Sequence, residues 1–117
     1  MIYKVYLDRK LISSKCRLFD TVFSNFRGLM FRRLGSKNSV LLKSKREGRL
    51  TTAIHMFFVF YSLDIVWLDS RMNVVDVKRV RPFTPYVASK KSAKYVLEIK
   101  DSSGLKLGDK LRLVPFS

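Results

Sequence analysis

This sequence predicts a mainly β fold of the α+β kind, on three observations. Segments rich in β-branched and aromatic residues recur along it, among them residues 2–7, 55–61, 63–68 and 74–80, and such residues suit a pleated surface. Only residues 21–34 show a helical period instead. A hydrophobic fraction of 47% with 13% aromatics in 117 residues is enough for one packed core without disulfides or metal. No repeat, low-complexity segment or Pro/Gly-rich linker divides the chain, so residues 1–117 read as a single domain.

Residues 2–7 open the fold as a strand in which Tyr3, Val5 and Leu7 alternate with Ile2, Lys4 and Tyr6. Cys16 reads as a packed thiol in a strand, with Lys15 and Arg17 pointing to the opposite face; a reactive role would need a depressed pKa. In residues 21–34, Val22, Phe23, Phe26, Leu29, Met30 and Leu34 fall at helical spacings, with Asp20 or Thr21 as N-cap and Gly28 or Gly35 at the end.

Residues 39–43 predict a short strand and residues 43–49 a basic loop in which Gly48 supplies a turn. Residues 55–61 are apolar on both alternating faces, the pattern of a strand covered on both sides, and residues 63–68 continue it with a half-apolar pattern, so the core lies here. The polar break at residues 69–73 predicts a hairpin with Asn73 at positive φ, leading into Val74, Val75, Val77 and Val80. After a Pro82 to Pro85 loop and a polar stretch at 89–94, residues 95–99 and 111–114 supply the last strands.

The longest apolar run, residues 56–61, is far shorter than the roughly 18 residues a membrane helix needs. Charges interrupt the first ten residues, unlike a signal peptide. With a single cysteine besides, the sequence predicts a soluble protein of a reducing, cytoplasmic compartment.

Charge is the most unusual feature. Lys and Arg number 24 against 9 Asp and Glu, a formal net charge of +15, where about 2 to 8 is enough to keep a small domain soluble. Residues 1–50 carry 13 basic and 3 acidic residues, residues 51–117 carry 11 and 6, so a polyanion is expected on the first half. The absence of Gln and the scarcity of Asn and Cys fit a thermophile. Thermophily raises Glu along with Lys, however, and leaves the positive excess unexplained.

Three segments together carry a family likeness: Arg27-Gly28-Leu29-Met30-Phe31-Arg32; His55-Met56-Phe57-Phe58-Val59-Phe60 leading to Leu63-Asp64-Ile65-Val66-Trp67-Leu68-Asp69; and Gly108-Asp109. In order and spacing they resemble the domain of unknown function 192 family (DUF192), also called uncharacterised protein family 0127, in the form carried by archaea. The likeness runs from about Phe19 to Leu113. It implies a compact curved or barrel-like mixed sheet with one or two short helices, and no accepted activity. Ser62 stands where that family usually has proline, and Arg71-Met72-Asn73 replaces its usual Asp-Gly turn.

His55 is the only histidine, so multi-histidine zinc sites are excluded, and no structural-zinc spacing exists. As a general base it would need an orienting carboxylate such as Asp64; the structural alternative is a hydrogen-bonded residue opening a strand. Asp64 lies in an apolar stretch and must face solvent or find donors. It reads either as a polar anchor in a pocket or as a carboxylate held by backbone N–H groups or Arg27. Arg27 and Arg32 flank Gly28 and would suit a phosphate or carboxylate. Asp69 and Asp76 read as turn and surface residues, and Gly108-Asp109 as a turn opening a strand.

No glycine-rich phosphate loop, dinucleotide fingerprint, nucleophile elbow or Cys-x-x-Cys pair occurs, and no cofactor is expected. Two functions remain. One is a non-catalytic module whose basic surface, with Arg32, Arg33, Lys37, Lys43, Lys45, Arg46 and Arg49 as candidates, takes nucleic acid or another polyanion with little specificity. The alternative is a small polar-ligand site or enzyme around Arg27, Gly28, Arg32, His55 and Asp64. A β module that binds a protein partner is a third class.

Overall fold

The computed structural model describes residues 2–20, 38–48, 62–81, 88–102 and 104–115. Seven strands form one sheet: β1 (Ile2–Leu7), β2 (Lys10–Asp20), β3 (Asn38–Gly48), β4 (Leu63–Leu68), β5 (Val74–Val80), β6 (Ala93–Ile99) and β7 (Leu111–Pro115). Their order is β5-β4-β6-β3-β2-β1-β7. Only β2 and β3 pair in parallel; the other neighbours are antiparallel. A mixed, mostly β sheet is thus what the sequence predicts, and no helix occurs among the described residues. The expected helix at 21–34 and the expected strand at 55–61 lie outside them.

The sheet curls without closing. Its end strands β5 and β7 share no continuous ladder, yet they meet at one corner: the Val74 N–H donates to the Asp109 carbonyl at 2.7 Å, Gly108 N–H to Val74 O at 2.8 Å, and Leu111 N–H to Met72 O at 3.0 Å. Gly108 stands there at a φ of 90°, in the region side chains disfavour, and Asp109 Oδ2 accepts the Lys106 N–H at 2.9 Å. Both features agree with the expected turn. Register shifts between Tyr3 and Val5 and between Val5 and Tyr6 interrupt the β1/β2 ladder, and irregularities of this kind add to a sheet's twist.

Alternation along each strand divides the sheet into two faces. The inner face gathers Val5, Ile12, Cys16, Leu41, Val66, Leu68, Leu97, Ile99 and Leu111 into one core, with Tyr3 and Leu7 packed against it. On the outer face of the central strands Val40, Leu42, Ile65, Trp67 and Val96 are buried as well. All six residues of β4 are therefore buried, more than the expected half-apolar pattern, because β4 lies between β5 and β6 and is covered on both faces.

Three expectations need correction. Residues 43–48 are not a loop: β3 runs on through Gly48, which pairs with Ala93 across a register irregularity. Their polar residues mislead because extended backbone does not require apolar side chains, and β6 takes up the pairing again at Gly48 after the irregularity between Lys43 and Gly48. Positive φ in the β4/β5 hairpin falls on Met72, at 68°, not on Asn73. Met72 N–H donates to Asp69 O at 3.1 Å and Asp69 N–H to Asn73 O at 3.0 Å, a three-residue loop whose last residue takes the left-handed conformation. Asp76, expected at the surface, is buried; its carboxylate accepts the backbone N–H of Val77 and of Lys90, each at 2.9 Å.

Candidate functional site

Of the five residues in the predicted ligand site, Arg27, Gly28, Arg32 and His55 lie outside the described residues, and Asp64 lies within them. Asp64 is the second residue of β4 and is 7% exposed. Its Oδ2 accepts the Ser102 N–H at 2.7 Å, and its Oδ1 meets Nη1 of Arg79 at 2.9 Å. The same Arg79 nitrogen donates to Lys100 O at 2.7 Å. Asp64 thus pins the chain leaving β6 and is held by a backbone N–H, one of the two structural partners expected for it. The guanidinium in contact is that of Arg79, placed opposite Asp64 by the β4/β5 register.

Asp69 organises the β4/β5 turn: Oδ1 accepts from the N–H groups of Arg71 and Asn73, both at 2.9 Å, and Oδ2 from the Asn73 amide at 3.1 Å. Burial pushes its pKa upward, but the Asn73 and Arg71 hydrogen bonds and the Arg71 charge prevail and hold it below 3.8. Cys16 is fully buried, and burial drives its thiol up to about 11 against a smaller opposing effect of a Ser39 hydrogen bond. That is an inert thiol. Among the described residues no three His, Cys, Asp or Glu side chains gather to hold a metal.

Glu98 is the residue that the sequence reading passed over. It lies in β6 between Val40 of β3 and Ile65 of β4, is 0% exposed, and neither carboxyl oxygen has a hydrogen-bond partner among the described residues. Burial alone raises its pKa well above 4.5. The signal was available: Tyr95-Val96-Leu97-Glu98-Ile99 is a carboxyl within an apolar strand, the same anomaly that singles out Asp64.

Of the seven acidic residues whose side chains are described, Asp64, Asp76 and Glu98 are buried, and Asp69 and Asp109 are half-buried in turns. Asp8 and Asp101 are exposed, whereas twelve of the described Lys and Arg are exposed. Five of these (Arg9, Lys10, Lys15, Arg17, Arg112) belong to the β1/β2 hairpin and β7. Arg79, Arg81, Lys90 and Lys91 stand at the end of β5 and before β6, and Arg71, Lys106 and Lys110 lie at the corner where β5 meets β7.

Among the predicted polyanion contacts, Lys43 is half-buried in β3 opposite Tyr95. Lys45 and Arg46 are in the same strand, and Arg32, Arg33, Lys37 and Arg49 lie outside the described residues. The cations that the structure does place in the open are largely others. On the outer side of the β2-β1-β7 end, the register sets Ile2 opposite Arg17 and Tyr6 opposite Arg112. The Arg112 guanidinium lies over the Tyr6 ring, 4.9 Å from its centre, a favourable cation–π distance.

Comparison with known proteins adds the lineage. Residues 5–113 match the family model for DUF192, described as Uncharacterized ACR. A UPF0127 protein of Thermococcus sibiricus is 38% identical over 106 residues, covering 87% of this chain and 68% of the relative. One of Thermococcus gammatolerans is 43% identical over 82 residues, covering 69% of this chain and 52% of the relative, so the chain spans about half of that protein's length. One of Pyrococcus abyssi is 34% identical over 104 residues, covering 86% of each chain. Two solved structures share the fold at a TM-score of 0.78. One, from Sinorhizobium meliloti, is provisionally designated a transcription regulator (19% identity, covering 97% of this chain and 94% of the other). The second, from Novosphingobium aromaticivorans, is a protein of unknown function (21% identity, 96% and 84% covered).

Proposed function

The chain belongs to the uncharacterised DUF192 family, and we propose that within it this protein is a non-catalytic module that binds nucleic acid or another polyanion through its basic surface. The observation that carries the reading is the fate of the acidic residues. Burial or turn formation engages five of the seven described, so exposed cations outnumber exposed anions twelve to two. Among the described residues the outward charge is thus more lopsided than the composition. Nucleic acid heads the list of polyanions because the S. meliloti protein of the same fold is provisionally designated a transcription regulator. The small-ligand alternative around Arg27, His55 and Asp64 draws less support, since both oxygens of Asp64 are already engaged by Ser102 and Arg79.

Binding driven by released counterions weakens with salt in proportion to the phosphates engaged. Titration of a labelled duplex DNA should give a log K against log salt slope near −4 for about five phosphates. No binding at low salt by a folded sample, or a slope near zero, would sink the reading.

A further inference from the structure

We propose that the outer side of strands β2, β1 and β7 is a docking surface for single-stranded nucleic acid, in which Lys15, Arg17 and Arg112 hold phosphates and Tyr6 stacks on a base. This assignment rests on the polyanion reading and gives it a place and a ligand class.

The geometry begins with alternation. Tyr3, Val5 and Leu7 pack on the core, so Ile2, Lys4 and Tyr6 face the other way. Direct pairing then brings Arg17 beside Ile2 and Arg112 beside Tyr6 on that same side, and Lys15 follows two residues from Arg17 along β2. Neighbouring strands lie about 4.8 Å apart and alternate residues of one strand about 6.6 Å apart, so these side chains form one continuous patch. Lys15, Arg17 and Arg112 are exposed, and Ile2 is 36% exposed beside them.

The chemistry of the patch is one-sided. β1 and β7 contain no acidic residue, and the only one in β2 is Asp20, at its end. Lys15 and Arg17 have no ion-pair partner among the described residues, whereas Arg112 lies over the Tyr6 ring and donates to Asp8 O at 3.4 Å, contacts that a bound base and phosphate would share. Two cations of β5 are tied by shorter contacts: Arg79 holds Asp64 and Lys100 O, and the Lys78 ammonium donates to Ala88 O at 2.6 Å.

A strand surface with a half-buried aromatic ring among cations, one face of it under Arg112, offers its remaining face and edge to unstacked bases, which every sequence presents. A duplex hides its base faces and would leave Tyr6 and Ile2 unused. The patch contains no element shaped for a groove, so little sequence preference is expected.

Fluorescence anisotropy at low salt, with labelled oligo-dT and a labelled hairpin duplex of equal length, tests the assignment. Wild type should bind the single strand at least about 5-fold more tightly, and Tyr6→Leu, which keeps a strand-compatible apolar side chain, should erase most of that preference. Arg17→Ala with Arg112→Ala should weaken single-strand binding at least about 10-fold. A charge-matched control, Arg81→Ala with Lys91→Ala, should change it less than about 3-fold. Thermal melts establish that each variant is folded; if Tyr6→Leu is not, the two double variants decide alone. Wild type that binds neither probe overturns the polyanion reading and this one together. Wild type that binds, but with equal loss in both double variants or no preference for the single strand, overturns this assignment only.

Discussion

Across the outer face of the sheet, β3, β6 and β4 bury Val40, Leu42, Val96, Ile65 and Trp67, while β2 and β7 expose Lys15, Arg17 and Arg112. The two regions share one backbone plan and meet at the β2/β3 pairing, where Arg17 stands beside Val40. Their outward side chains differ completely. In the covered half the outward Val40, Leu42, Ile65, Trp67 and Val96 contribute packing, and the carboxyl of Glu98 there is without hydrogen-bond partners among the described residues. In the open half the outward Tyr6 and Val114 are half-buried, and Lys15, Arg17 and Arg112 reach solvent. Stability and binding are thus assigned to different halves of one surface, and substitutions should separate them.

The largest effect expected is in the covered half. Trp67 is fully buried and its truncation leaves a cavity, so Trp67→Ala should lower the free energy of unfolding by about 3 to 5 kcal/mol. Arg17→Ala, at an exposed position of the open half, should stay within about 0.5 kcal/mol of wild type. Denaturant titration of both variants checks the pair; comparable losses would erase the distinction between the halves.

Glu98 sharpens it in the opposite direction. Glu98 is a buried carboxyl without hydrogen-bond partners among the described residues, which is a cost, so Glu98→Leu should stabilise by about 2 to 3 kcal/mol at neutral pH. The pH dependence has a definite sign. Burial raises the folded pKa well above 4.5, so the folded state retains a proton that the unfolded chain releases near that value. This contribution to stability is fully present below about 4.5, declines as pH rises toward the folded pKa, and is lost above it. Melts of wild type and Glu98→Leu should therefore diverge as pH increases from 4; a constant difference would mean that Glu98 does not titrate in this way.

A smaller effect is expected at Asp64. Asp64→Ala leaves the Ser102 N–H without its acceptor and should cost about 2 kcal/mol. Arg79→Ala removes a partner whose side chain is 60% exposed and should cost about 0.5 kcal/mol. Equal losses in chemical denaturation would show that the ion pair, not the backbone hydrogen bond, is what Asp64 supplies.

Met72 and Glu98 show how far the local pattern reaches. The hairpin at 69–73 is legible because a polar break separates two apolar runs, but its left-handed residue depends on the closing hydrogen bonds between Asp69 and Asn73, which place Met72 at that position. Asp64 is legible as a buried carboxylate in need of donors. Its donors are not, because Ser102 is 38 residues away and Arg79 reaches it only through strand register. Glu98 escapes notice because alternation leaves an outward position in β6 free to face solvent, and only the covering of that face removes the choice.

By itself, the amino-acid sequence determined the mainly β character, the family likeness, the excess of positive charge, the hairpin before β5 and the glycine turn before β7. These depend on residue type and on contacts within a few positions, where propensity and turn chemistry act directly. Only the tertiary structure decided that β3 continues through Gly48, that Asp76 and Glu98 are enclosed, and that Arg17, Tyr6 and Arg112 share one surface. Each of these depends on which strands become neighbours. Strand order is set by burial summed over the whole sheet, and residues far apart in the chain acquire a common environment only when that sheet has formed.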